Sequence, residues 1–225
     1  MKKLFVHIGL PKTGTTTLQQ YYFPFIDTFQ YAGVNQPRRK SSKDNDISYR
    51  HIMNFVNGNQ NISLEQVLKI IESQSSQLLI SEEMLTVGNK WIEKLKRLSL
   101  ILKNFDDYTI IVTVRDPVKV SFSYYVETYE AHFASGKISY IDAVRDSVHM
   151  QMYHYEYLFK TLYSIFSKEK VIALKFEDIF FDEGKKLKNI FGFSQIESFP
   201  SENKTKSDSN YKVSTKGSKV EIPSF

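Results

Sequence analysis

Short apolar runs alternate along the chain with longer stretches in which apolar residues recur every three to four positions, the pattern of strands followed by helices. The runs 3–8, 78–81, 108–114 and 171–176 are β-branched or aromatic and bounded by polar residues, so buried strands are predicted there. A weaker strand is predicted at 29–32, closed by Gly33. Helices are predicted over 15–23, 64–73, 91–104, 117–132, 140–167 and 183–191. The stretch from Pro117 is the most regular, with Val118, Phe122, Val126 and Tyr129 near helical period and a proline suited to a first turn. Ser63 followed by Gln66 is a capping-box pattern. The segment 35–48 and the tail from Ser198, with its margin back to about 194, lack either period and are expected to be irregular. Strands alternating with helices predict an α/β fold of three layers, α/β/α, around a central, mostly parallel sheet. A chain of 225 residues fits one domain spanning 1–225.

Composition narrows the chemistry. With 41% hydrophobic residues, including 17 Phe and 14 Tyr, the chain has the apolar surface for a real core. It has no cysteine, which excludes disulfides, thiolate metal sites and cysteine nucleophiles, and fits a reducing, cytoplasmic setting. The apolar run after Met1-Lys2-Lys3 is too short for a signal-peptide core and carries His7, so it is expected to be a strand. No window approaches the roughly 20 apolar residues of a membrane span. The net charge of +5 suits an anionic ligand, but the basic clusters at 38–40, 185–188 and 204–219 lack interleaved aromatics, so no nucleic-acid partner is expected.

The most informative segment follows the first strand. Gly9-Leu10-Pro11-Lys12-Thr13-Gly14-Thr15-Thr16-Thr17 lies between a strand and an amphipathic stretch, where backbone N–H groups and a helix N-terminus attract an anion. Gly9 and Gly14 keep the spacing of a nucleotide-triphosphate loop, but Thr15 stands where its lysine belongs and the lysine has moved inside, to Lys12. This P-loop-like arrangement resembles the 5′-phosphosulfate loop of the sulfotransferase superfamily, P-K-[ST]-G-[ST]-[ST], matched by Pro11-Lys12-Thr13-Gly14-Thr15-Thr16. A second resemblance lies at Arg115 and Ser123: in that family an arginine ending a central strand, and a serine eight residues later, hold the donor's 3′-phosphate. The segment 174–179 also looks like the family's last strand and its acidic end, with Glu177 and Asp178 expected to be structural. The aryl and steroid branch ends in an R-K-G-x-x-G loop, of which only Lys216-Gly217 is present, so that branch is disfavoured.

The resemblance implies a sulfotransferase using 3′-phosphoadenosine 5′-phosphosulfate (PAPS), releasing 3′-phosphoadenosine 5′-phosphate (PAP), and acting on a hydroxyl acceptor, with a carbohydrate or glycoconjugate favoured. Lys12 would meet charge developing on the bridging oxygen, while Thr13, Gly14, Thr15, Thr16 and Thr17 would bind the 5′-phosphate through N–H and hydroxyl groups. The general base is expected at the end of the strand 78–81, from Glu82 or Glu83, with Glu82 favoured. The histidines have no ligand spacing and no metal site is expected; His7 is expected to be a core or strand-edge residue. Two alternatives stay open: a small-molecule kinase, since the loop is a phosphate loop in outline, and a non-catalytic module binding the donor or another polyanion.

Overall fold

The computed structural model describes residues 2–36, 46–74, 77–180 and 185–191. Strands β1 (Lys3–His7), β2 (Gln30–Gly33), β3 (Gln77–Ser81), β4 (Asp107–Val114) and β5 (Val171–Lys175) form one sheet in the order β2-β3-β1-β4-β5. Every pairing is parallel. β1 is therefore central, with β3 on one side and β4 on the other, and the carboxyl ends of all three open on one edge of the sheet. Strands of such a sheet are buried on both faces, which is why they read as continuous apolar runs rather than alternating ones.

Helices cover both faces. α1 (Thr15–Tyr21), α8 (Phe176–Phe180) and α9 (Lys185–Phe191) lie on one side, where Phe5, Leu79 and Ile111 pack against Leu18, Ile179, Leu187 and Phe191. On the other side lie α2 (Ile47–Val56), α3 (Leu64–Glu72), α4 (Trp91–Leu102), α5 (Pro117–His132), α6 (Tyr140–Asp146) and α7 (Tyr155–Phe166), over Leu4, Val6, Ile80 and Val112. Each fully buried Leu or Ile contributes about 1.5–3 kcal/mol relative to exposure, so the three layers are held by cumulative burial. The expected three-layer α/β/α fold is what forms, and its sheet is wholly parallel. Among the described residues no helix is long and apolar enough to cross a membrane.

Local signals explain most boundaries. Asp116 caps α5, its Oδ1 accepting from the N–H groups of Val118 and Lys119 at 3.0 and 2.9 Å, and Pro117 stands in the first turn. Ser63 and Gln66 form the reciprocal capping box of α3. The helix expected over 15–23 ends at Tyr21, because Pro24 has no N–H to continue the ladder, and a 3-10 turn over Phe23–Phe25 follows.

Two expectations are corrected. The single helix expected over 140–167 is three pieces, α6, a 3-10 helix Val148–Tyr153 and α7. The 3-10 segment buries Met150, Met152 and Tyr153 within four residues, which one face of a straight α-helix cannot do. The helix α2 was not expected. It starts at Ile47, at the end of the segment 35–48 expected to be irregular, because Asp46 caps it, and Tyr49, Ile52, Met53 and Val56 form its buried face. The central part of that segment (37–45), the start of the helix expected from Glu183, the basic clusters at 38–40 and 204–219, and the tail with Lys216-Gly217 lie outside the described residues.

Candidate functional site

The loop after β1 turns on two left-handed residues, Lys12 at φ 67° and Gly14 at φ 82°. Glycine adopts this region freely, but a lysine there carries strain of order 1 kcal/mol or more that the surroundings must hold. Gly9 is needed for another reason: a Cβ would lie 2.6 Å from both the His7 ring and the Thr113 hydroxyl. It is the close packing over β1 and β4 that requires glycine at this position. Gly14 leads into α1, whose N-terminus carries no side-chain cap and no acidic residue in its first turn.

A buried chain of hydrogen bonds holds this loop from below, and its donors can be assigned by elimination. The Thr13 hydroxyl donates to the Leu10 carbonyl at 2.6 Å. It has a single proton, so the 2.6 Å bond between the Thr13 and Thr113 hydroxyls must be donated by Thr113. Thr113 then accepts from His7 Nε2–H at 3.4 Å, leaving Nδ1 to accept from the Ser81 hydroxyl at 2.9 Å. Ser81 accepts in turn from the Gln19 amide at 3.1 Å. The chain runs in one direction from α1 through β3, β1 and β4 to the loop, and it needs a neutral imidazole. Burial lowers the His7 pKa to about 3, in agreement.

This arrangement changes the expected contacts of the threonines. Thr13 and Thr15 are buried, and both hydroxyls point at the Leu10 carbonyl, at 2.6 and 3.2 Å. They shape the loop, so an anion there is left with their backbone N–H groups. Thr16 is exposed and Thr17 half-buried at the start of α1. Pro11 is buried, its carbonyl accepting from the Tyr153 hydroxyl at 3.1 Å.

The segment from Arg115 lies beside the loop because β4 pairs with β1. Arg115 immediately follows β4, and the Tyr155 hydroxyl pins its backbone by donating to its carbonyl at 2.6 Å and accepting from its N–H at 3.2 Å. Its guanidinium stacks over Phe176, 4.5 Å from the ring centroid. No ion pair engages it among the described residues, because Asp116 faces the α5 N-terminus instead. Ser123 is half-buried in the second turn of α5. One turn further on, Glu127 Oε2 meets Lys12 Nζ at 2.6 Å. Residues four apart on a helix share a face, so Ser123 looks toward the same loop.

The two glutamates after β3 part company. Glu82 is only 4% exposed. Its Oε1 accepts from the Met84 N–H at 2.8 Å, its Oε2 accepts from the Tyr49 hydroxyl of α2, and its own N–H donates to the His7 carbonyl at 3.0 Å. It caps the 3-10 turn Glu83–Thr86 and ties α2 to the strand end. Glu83 is half-buried. Its charge and that of Glu127 both act on Tyr124 and Tyr153, whose rings lie 5.5 Å apart. Burial first, then these two carboxylates, pushes the Tyr124 hydroxyl up to about 12, and burial first, then Tyr124, Tyr155 and the carboxylates, raises Tyr153. Glu82, the residue favoured from the sequence, is thus committed to the strand end, while the charge of Glu83 reaches Tyr124 and Tyr153.

Sequence reasoning missed His7 as a support, Tyr49 as the partner of Glu82, and Glu127. Glu127 had a signal, its position four residues after Ser123. Tyr153 had none, since it reaches Pro11 across 142 residues. Among the described residues no group of three or more His, Asp or Glu side chains is gathered for a metal ion.

The arrangement offers a cationic loop on strained backbone, an arginine at a neighbouring strand end, a serine on the intervening helix face and a carboxylate beside two buried phenols. A family model described as the sulfotransferase family matches residues 4–201. Among solved structures, a sulfotransferase from Alicyclobacillus acidocaldarius is similar in fold at a TM-score of 0.52 and 13% identity, covering 86% of this chain and 82% of that one. No curated protein sequence matches.

Proposed function

Because the chain belongs to the sulfotransferase family, we propose that it transfers a sulfuryl group from PAPS to a hydroxyl of a carbohydrate or glycoconjugate. The observation that supports this reading best is the meeting of two motifs a hundred residues apart. The Lys12 loop and the Arg115–Ser123 segment are joined by the Thr13–Thr113 hydroxyl bond, at 2.6 Å, and by the Lys12–Glu127 pair, also at 2.6 Å. The edge of the stacked Arg115 guanidinium, engaged in no ion pair among the described residues, and the half-buried Ser123 hydroxyl fit a phosphate group at one end. The left-handed Lys12–Gly14 turn fits one at the other.

In this reading Arg115 and Ser123 hold the 3′-phosphate, and the backbone of Thr13, Gly14, Thr15, Thr16 and Thr17 holds the 5′-phosphate. The donor supplies an activated sulfur whose bond to the 5′-phosphate oxygen breaks as the acceptor oxygen bonds to it, leaving PAP. Lys12 neutralises the negative charge that builds on the bridging oxygen. Glu83 accepts the acceptor's proton, with Tyr124 and Tyr153 excluding water behind it. The roles need positioning and charge compensation above all, as in phosphoryl transfer.

A single pair of measurements tests the reading. Titration calorimetry with PAP in the absence of magnesium should give binding, while ATP with magnesium should bind far more weakly; the reverse order would return the kinase reading. Incubation with sulfur-35-labelled PAPS and fractionated glycans, lipids and phenols should label glycans. Label on phenols alone would overturn the acceptor, and PAP binding with no labelled product in any fraction would favour the non-catalytic module.

A further inference from the structure

A carboxylate beside an anion-binding loop is out of place on electrostatic grounds, and Glu127 stands there. From α5 it holds Lys12 Nζ at 2.6 Å, with the two side chains 57% and 36% exposed. Resting on the donor reading above, we propose that Glu127 is a positioning residue acting through Lys12: it pairs with the lysine and gives it up to the donor's phosphosulfate, so that it sets the donor affinity.

Three features carry this. Lys12 sits on left-handed backbone, so the loop fixes the root of its side chain while the head is free to exchange partners. The ammonium is a compact charge on a flexible stem with three donors, suited to move between a carboxylate and a phosphosulfate oxygen without backbone change. Glu127 lies one helical turn, about 6 Å, beyond Ser123 on the same face of α5. The residue that would be released therefore stays beside the donor, where two negative charges repel. Both the exchange and the repulsion oppose donor binding, so removing the carboxylate should strengthen it.

The test compares Glu127→Gln with Glu130→Gln, which removes the same net charge from an exposed position of the same helix. Glu127→Gln should bind PAP about two- to fivefold more tightly than the native protein, the range an exposed ion pair supports. Its Km for the donor should fall in step while kcat holds within about twofold. The gain should shrink in high salt, which already screens the pair, and Glu130→Gln should leave affinity unchanged. Glu127→Asp, which keeps the charge but withdraws it by one methylene, should fall between. Unchanged or weaker PAP binding in Glu127→Gln, or an equal gain in Glu130→Gln, overturns the proposal. Should the native protein bind no PAP at all, the donor reading itself fails, and the two failures are told apart in the same titration.

Discussion

The hydroxyls of Thr13 and Thr113 share a 2.6 Å hydrogen bond across 100 residues of sequence. It is the point where the loop after β1 is fastened to the strand that delivers Arg115. Thr113 accepts from His7 Nε2–H and donates to Thr13, which in turn donates to the Leu10 carbonyl.

Thr113→Val should therefore do more than remove one bond. It leaves the buried His7 Nε2–H without an acceptor, at a cost of about 1–3 kcal/mol. Urea unfolding should show a lower midpoint, and PAP should bind more weakly because the loop loses its fastening. A loss below about 0.5 kcal/mol would contradict the assigned direction of the chain.

His7 gives the fold an acid limit. Its folded pKa, about 3, lies below the 6.5 of the unfolded chain, so between those values the unfolded state binds the extra proton. Stability then rises with pH across that window and is lost as pH falls, by about 1.4 kcal/mol per unit from this residue. His7→Gln, which keeps the Nε2–H donor without titrating, should flatten that part of a stability-versus-pH curve. An unchanged slope would remove His7 as its source.

Lys12 separates strain from function. Lys12→Ala keeps a Cβ at φ 67°, whereas Lys12→Gly relieves it. The glycine variant should be the more stable of the two by about 1 kcal/mol in thermal unfolding. Both should lose donor affinity and turnover. Equal stabilities would mean that the left-handed turn relaxes without the lysine.

The glutamates after β3 should divide by phenotype. Glu83→Gln should fold normally and lose about 10²- to 10⁴-fold in kcat, the contribution of a general base. Glu82→Gln should keep its turnover per folded molecule within about tenfold and lose about 1–3 kcal/mol of stability, because its buried oxygens hold Tyr49 and Met84. Interchanged phenotypes would return the base to Glu82.

Arg115 and Ser123 can be weighed by PAP titration. Ser123→Ala should weaken binding about 2- to 10-fold, the worth of one hydrogen bond. Arg115→Lys should cost more, because it gives up both the planar fork and the stacking on Phe176. No change in either variant would detach the 115–123 segment from the donor.

What the sequence determined by itself is whatever depends on neighbours in the chain. The strand β1, the position of Lys12 between Gly9 and Gly14, the Asp116-Pro117 start of α5 and the capping box at Ser63 all rest on spacing within a few residues, and spacing of that kind is visible without a fold. α2 shows the limit even there, since the four apolar positions of its buried face were overshadowed by the polar run ahead of them. Tertiary structure alone decided the rest. Which glutamate is buried depended on Tyr49 arriving from α2. What donates to the Thr13 hydroxyl depended on Thr113 lying beneath it, and what holds Lys12 depended on α5 crossing beside the loop. Each of these is a choice of hydrogen-bonding partner between segments brought together by the burial of apolar surface, and the order of residues along a chain does not record which polar groups that burial will bring together.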